Sequence, residues 1–167
     1  MIELSPDDFL PLDTFTLRWR WTDPKWALLP AVALAQIQPL TEAKARELWD
    51  RTVSTSSTTS ALVAIAHRFA PALPAAHPPF SSLSRIDAAE PPPAVVAQQL
   101  ATLVALSAQP VVVVWQPTEA VAVAWEVFCA HWNTFCYPAS DDASIRPLDE
   151  RWCLEWHHDE YFLFGHL

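Results

Sequence analysis

Hydrophobic and polar positions alternate over residues 14–21, with Phe15, Leu17, Trp19 and Trp21 on one side and Thr14, Thr16, Arg18 and Arg20 on the other. This two-residue period predicts a half-buried strand. Just before it, Ser5-Pro6-Asp7-Asp8 offers a cap, a proline at the first helical position and acids at the positive end of a helix dipole, and predicts a short helical turn. Thr22-Asp23-Pro24 stops the strand, and the apolar stretch 26–37, interrupted by Pro30, leaves helix and strand both open. A helix is predicted from Thr41, its cap, to near Val53, with Ala45, Leu48 and Trp49 facing inward.

The polar run at 54–60 predicts a loop whose hydroxyls compete for backbone hydrogen bonds, with Ser60 as a candidate cap for a helix over 61–70. Residues 71–93 are proline-rich and predict an extended excursion over the surface, with a short ordered piece at 84–89. The triple proline at 91–93 introduces a helix over 94–107, with Val96, Leu100, Leu103, Val104 and Leu106 as its inner face.

The last third of the chain has the strongest pattern. Residues 111–115, Val-Val-Val-Val-Trp, form a β-branched run expected of a strand buried on both faces, in the middle of the sheet. Val121, Trp125, Phe128, Cys129, Trp132, Phe135 and Cys136 recur at three- and four-residue intervals, predicting a helix from a Thr118 cap to Pro138. Three short strands follow, over 143–148, 151–157 and 160–164, joined by Asp-Glu and His-Asp corners. In the middle one Trp152, Leu154 and Trp156 share one face, and Cys153, Glu155 and His157 the other.

The elements together predict an α+β fold: a mixed, largely antiparallel sheet from strands near 14, 111, 144, 152 and 161, covered by about four helices near 42, 61, 95 and 119. It includes a C-terminal β-α-β-β-β module. One globular domain is expected over residues 1–167, since neither half alone has the elements to cover a sheet.

Composition narrows the function classes. A single glycine, Gly165, beside 16 prolines leaves no phosphate-cradling loop, dinucleotide fingerprint or G-x-S-x-G elbow to be written. A formal charge of −9 with no basic stripe disfavours nucleic-acid binding. No run of about 18 apolar residues or basic leader is present, so no membrane association and a cytoplasmic location are expected. Cys129, Cys136 and Cys153 lack paired spacing and are expected as reduced, buried thiols.

The densest chemistry is His157-His158-Asp159-Glu160. Neighbouring histidines on a strand point to opposite sides and make no ready chelate, so neither metal nor cofactor is expected. Cys153 and His157 share a strand face but stand about 13 Å apart, too far for a nucleophile–base pair, and no catalytic residue is assigned. Asp141, Asp142, Glu155, Asp159 and Glu160 belong to the largest local charge bias and form a candidate contact patch for a basic protein partner. Trp125, Trp132, Trp152 and Trp156 are placed in the core by their period, whereas Trp26 and Trp115 are left as candidates for a ligand pocket.

Two segments carry a resemblance: Gln36-Ile37-Gln38-Pro39-Leu40-Thr41-Glu42-Ala43 running to Leu48-Trp49, and Trp125-Glu126-Val127-Phe128 running through Trp132 and Phe135-Cys136-Tyr137-Pro138 to Asp141-Asp142. The first resembles a small family of uncharacterised bacterial proteins. The second is similar to motifs of small acidic immunity proteins of bacterial toxin systems, and implies a helix and sheet that support a toxin-binding surface. Neither resemblance implies a catalytic residue. The preferred reading is a non-catalytic protein-binding or regulatory protein, immunity-like, that uses the acidic C-terminal strands. The alternatives are a small cysteine- or histidine-dependent hydrolase and a small-ligand binding protein with an aromatic pocket.

Overall fold

The computed structural model describes residues 1–53, 58–70, 72–104 and 109–167. The chain opens in two single turns of 3-10 helix, Pro6–Asp8 and Leu12–Thr14. In the first, the Asp8 carboxylate accepts the Ser5 backbone N–H at 2.7 Å, so the turn predicted from Ser5-Pro6 is present in its tighter form. The elements that follow are α1 (Trp19–Thr22), β1 (Ala27–Leu28), α2 (Ala31–Leu34), β2 (Ile37–Pro39), α3 (Glu42–Val53), α4 (Thr58–Phe69), β3 (Ser82–Asp87) and α5 (Pro93–Leu103). The chain ends with β4 (Pro110–Gln116), β5 (Glu119–Ala124), α6 (Trp125–Phe135), β6 (Ala143–Pro147), β7 (Trp152–His157) and β8 (Tyr161–His166).

Seven strands form one sheet in the order β2-β5-β4-β6-β7-β8-β3, and every ladder in it is antiparallel. The α+β class is as predicted. β4 is interior and buried on both faces, but β6 rather than β4 holds the central place. Among the described residues no helix is long and apolar enough to cross a membrane.

Helices lie on both faces of the sheet. On one, α5, α6 and the segment around α1 and α2 enclose Trp21, Trp125, Phe128, Phe135, Ile145, Leu154 and Phe162. A buried aromatic side chain removes about 150–250 Å² from water, or roughly 4–6 kcal/mol as an upper bound, so this aromatic layer dominates the hydrophobic stabilisation. On the other face α3 sets Ala45 and Leu48 against Val112, Val114, Ala120 and Ala122. Beside it α4 sets Leu62 and Ile65 against Phe80, Leu83, Cys153 and Leu163. Ser144, Arg146 and Glu155 are buried on this second face, in the sheet that the two helices cover.

Several expected elements hold. Thr41 accepts the Lys44 backbone N–H at 3.3 Å and caps α3. Pro92 and Pro93 open α5 as expected, but the helix ends at Leu103, since Val104 is extended, so Val104 is not part of its inner face; the expected Leu106 lies outside the described residues. Of the loop expected at 54–60, residues 54–57 lie outside the described residues and Thr58, Thr59 and Ser60 belong to α4, so Ser60 is inside the helix and not its cap.

Two corrections have clear physical reasons. Residues 14–21 are not a strand: the chain turns at Leu12–Thr14 and again in α1, where Arg20 and Trp21 are both buried and the alternation loses its meaning. Phe15 stacks on Trp21 with ring centroids 6.2 Å apart, a contact between residues six apart that a straight strand would prevent. Nor does a helix begin at Thr118. Residues 119–124 form β5, hairpinned to β4, and helical geometry starts only at Trp125. A run buried on both faces satisfies either period, and Val121 sits at a helical interval from Trp125 by coincidence. The C-terminal module therefore contains one strand more than expected. The excursion at 71–93 also does more than skirt the surface, since it carries edge strand β3 and the buried Phe80.

Candidate functional site

Between α3 and α4, at the ends of β4, β6 and β7, lies a cavity of about 320 Å³. Trp49 and Val53 of α3 and Thr59 and Val63 of α4 line it from the helices, and Val114, Ser144 and Glu155 from the sheet. Trp115, Asp142, Ala143, Trp156 and His157 complete the lining at the strand ends. The lining is mostly apolar with a few convergent polar groups, the usual constitution of a small-molecule pocket.

Glu155 is the central polar group. Its Oε1 accepts the hydroxyls of Thr59 at 2.8 Å and Ser144 at 2.9 Å, and Arg146 Nη2 approaches to 3.7 Å. Arg146 in turn donates to the hydroxyls of Thr58 and Thr59. Burial raises the Glu155 carboxyl to about 7, against the opposing influence of Arg146, Thr59 and Ser144. Antiparallel register explains the convergence: Ser144 pairs directly with Glu155 across β6 and β7, and Arg146 lies two residues along the same face. Ser144, Arg146 and Thr59 were missed in the sequence, although the polar alternation of Ser144 and Arg146 between Ala143, Ile145 and Pro147 is legible as one face of a strand.

The five acids of the expected contact patch are dispersed. Asp141 is buried and makes a bidentate pair with Arg20, at 2.5 Å to Nη1 and 2.9 Å to Nη2. Glu155 is buried as described. Asp142 and Asp159 are exposed, and Glu160 is half-buried in the β7–β8 turn with φ 63°. Only the last three remain to present charge to a partner, and two of them face histidines: Asp142 Oδ1 lies 2.9 Å from His158 Nδ1, and Asp159 Oδ2 lies 3.5 Å from His157 Nδ1.

The two candidate tryptophans also separate. Trp26 is 50% exposed and meets Trp19 and Tyr137 in a surface cluster, with ring centroids 4.9 and 5.6 Å away. Trp115 is buried, donates its indole N–H to the Phe135 carbonyl at 2.7 Å, and belongs to the cavity lining. Trp125, Trp132, Trp152 and Trp156 are all buried, as their period required.

The three thiols are buried, and among the described residues no histidine hydrogen-bonds to any of them. Burial pushes Cys129 and Cys153 up to about 12 and Cys136 well above the ordinary range, the reverse of an activated nucleophile. The native protein is therefore expected to show no reaction with a disulfide reagent such as DTNB over minutes. All three thiols should titrate in guanidinium chloride. A fast-reacting thiol in the native state would reopen the cysteine-hydrolase reading.

A second hollow of about 320 Å³ lies at the opposite end of β4 and β7 and is lined by Trp125, Trp152, Arg151, Asp149 and His166 among others. Among the described residues it has no buried carboxylate or hydroxyl cluster comparable with that around Glu155.

No curated protein and no solved structure matches the chain. A family model matches residues 9–146, which include α3, α4 and the Ser144–Arg146 strand but stop before Glu155 and the β7–β8 turn. The chain thus belongs to DUF2947, a family of proteins of unknown function.

Proposed function

We propose that this protein binds a small molecule in the cavity between α3 and α4. The observation that carries the reading is the constitution of that cavity, in which Trp49, Val53, Val63 and Val114 supply apolar lining and Glu155, Ser144 and Thr59 supply polar contacts. Glu155 Oε1 is occupied by two hydroxyl donors, while among the described residues no donor reaches Oε2. A ligand of matching chemistry is a compact aromatic or aliphatic molecule bearing one amine or hydroxyl donor. This reading replaces the acidic docking surface as the preferred one, because two of that surface's five carboxylates are buried in internal pairs.

Saturation-transfer NMR with indole, phenylethylamine and tryptamine as probes tests it. Val63 is only partly buried, so Val63→Trp narrows the cavity without removing a core side chain. Wild-type protein is expected to transfer saturation to at least one probe at millimolar concentration, and Val63→Trp to weaken that binding about tenfold or more, equivalent to roughly 1.4 kcal/mol. Equal transfer in both proteins, or none in either, would remove the pocket from the explanation.

A further inference from the structure

The β7–β8 turn brings together a set of donors that the strand geometry of the sequence hides. β7 ends at His157, so His158 lies in the turn and is not obliged to point away from its neighbour. The two imidazoles stack with centroids 4.2 Å apart, and donor atoms of Asp142, His157 and His158 all lie within 4.8 Å of one another. We propose that Asp142, His157 and His158 form a binding site for a divalent transition-metal ion of the zinc type.

The three side chains are held before any ion arrives. The Ala139 backbone N–H donates to the His158 carbonyl at 3.1 Å, and the His158 N–H donates to Asp142 Oδ1 at 3.0 Å, so the 139–142 loop and the turn are fastened together. His157 stacks on Tyr161 at 4.7 Å, and Tyr161 is covered by the Arg85 guanidinium at 3.9 Å. Ligands 2.0–2.2 Å from one ion stand roughly 3–3.5 Å from each other. Asp142 Oδ1 and His158 Nδ1 share a hydrogen bond of 2.9 Å, so an ion would take the place of its proton and open the pair slightly, while the wider separations close by a shift on the order of 1 Å. Asp159, whose backbone N–H donates to His157 Nδ1 at 3.2 Å and whose carboxylate lies 3.5 Å from that nitrogen and 3.9 Å from His158 Nε2, adds a second negative charge beside the site.

Two imidazoles and one carboxylate suit zinc, cobalt(II), nickel(II) and iron(II), and three protein ligands leave coordination positions open. Asp142 and His157 also belong to the lining of the α3–α4 cavity, which puts the ion at its edge. The inference goes beyond the pocket reading and does not rest on it, because the ion is held by residues that need no organic ligand.

The test is titration of the metal-free full chain with Co²⁺, followed by visible absorption and by the NMR signals of the histidine rings, and with Zn²⁺ against a chromophoric chelator. One equivalent is expected to bind, with the His157 and His158 ring signals shifted or broadened before those of His67, His77 and His131. Asp142→Asn, His157→Ala and His158→Ala should each weaken binding about 10–100-fold or more, while His77→Ala leaves it unchanged. No one-equivalent site in the wild type, simultaneous perturbation of all the histidines, or undiminished binding in the three variants would each overturn the proposal. The ring signals of the wild type decide the matter even if a variant folds poorly.

Discussion

Asp141→Ala is expected to lower the thermal midpoint by on the order of 10 °C. Arg20 is 5% exposed and Asp141 8%, and the carboxylate also accepts the Tyr137 backbone N–H at 2.9 Å. The guanidinium carbon lies 5.2, 5.3 and 4.9 Å from the ring centroids of Trp19, Trp115 and Tyr137. Removing one partner of such a pair strands the other charge among aromatic rings and costs about 3–5 kcal/mol. For a chain of this size each kcal/mol shifts the midpoint by about 2–4 °C. The pair itself contributes far less than this, since desolvation offsets most of its attraction. The double variant Arg20→Met/Asp141→Leu should accordingly recover most of the loss, as measured by urea denaturation. A double variant no better than Asp141→Ala would show that the geometry of the bidentate pair, and not the stranded charge, is what matters.

The second large effect is expected at the chain's only glycine. A Cβ on Gly165 would stand 2.5 Å from Phe80 Cδ1 and 2.6 Å from Cε1, inside the ring's van der Waals surface. Phe80 is buried in the α4 cluster and has little room to retreat. Gly165→Val should cost about 3 kcal/mol in chemical denaturation, the upper part of the range for overpacking. Strand propensity alone predicts the opposite sign, because valine is among the best strand residues and glycine among the worst. A stabilised Gly165→Val would therefore refute the close-approach account. Combining it with Phe80→Leu should return at least about 1 kcal/mol as coupling between the two sites.

These two positions also mark how far the sequence could be read. α3, α4 and α5 were legible because each buries a regular stripe, the terminal strands because polar corners bound their short runs, and Trp125, Trp132, Trp152 and Trp156 are buried as their period implied. Arg20 defeated the same reasoning. Its neighbours alternate perfectly, but the guanidinium is drawn inside by a carboxylate 121 positions away, a distance in sequence that no local pattern registers. β5 was hidden for a different reason: an apolar run covered on both sides carries no period to distinguish strand from helix. Of the candidate site, Glu155 and the His157-His158 pair were noticed as chemistry. Their meaning depends on Ser144, Thr59 and Asp142, which only the β6–β7 register and the packing of α4 bring to them. The charge bias of the C-terminal strands was real, but counting acids cannot tell an exposed carboxylate from one folded inward.

The placing of β3 at the outer edge, beside β8, has a consequence for how the chain emerges from the ribosome. Ser82 pairs with His166 and Asp87 with Tyr161, so the partner of β3 is made about 80 residues later. At roughly 5–20 residues per second the delay is on the order of 4–16 s. Throughout it Leu83 and Phe80 have no β8 to lie against, and α4 lacks the β7–β8 surface that its Leu62 and Ile65 cover. The nascent chain must thus carry β3 unpaired, with Leu83 and Ile86 uncovered, until β8 has left the exit tunnel. Its flanking prolines and the Arg85 and Asp87 charges act as guards against premature pairing with another chain.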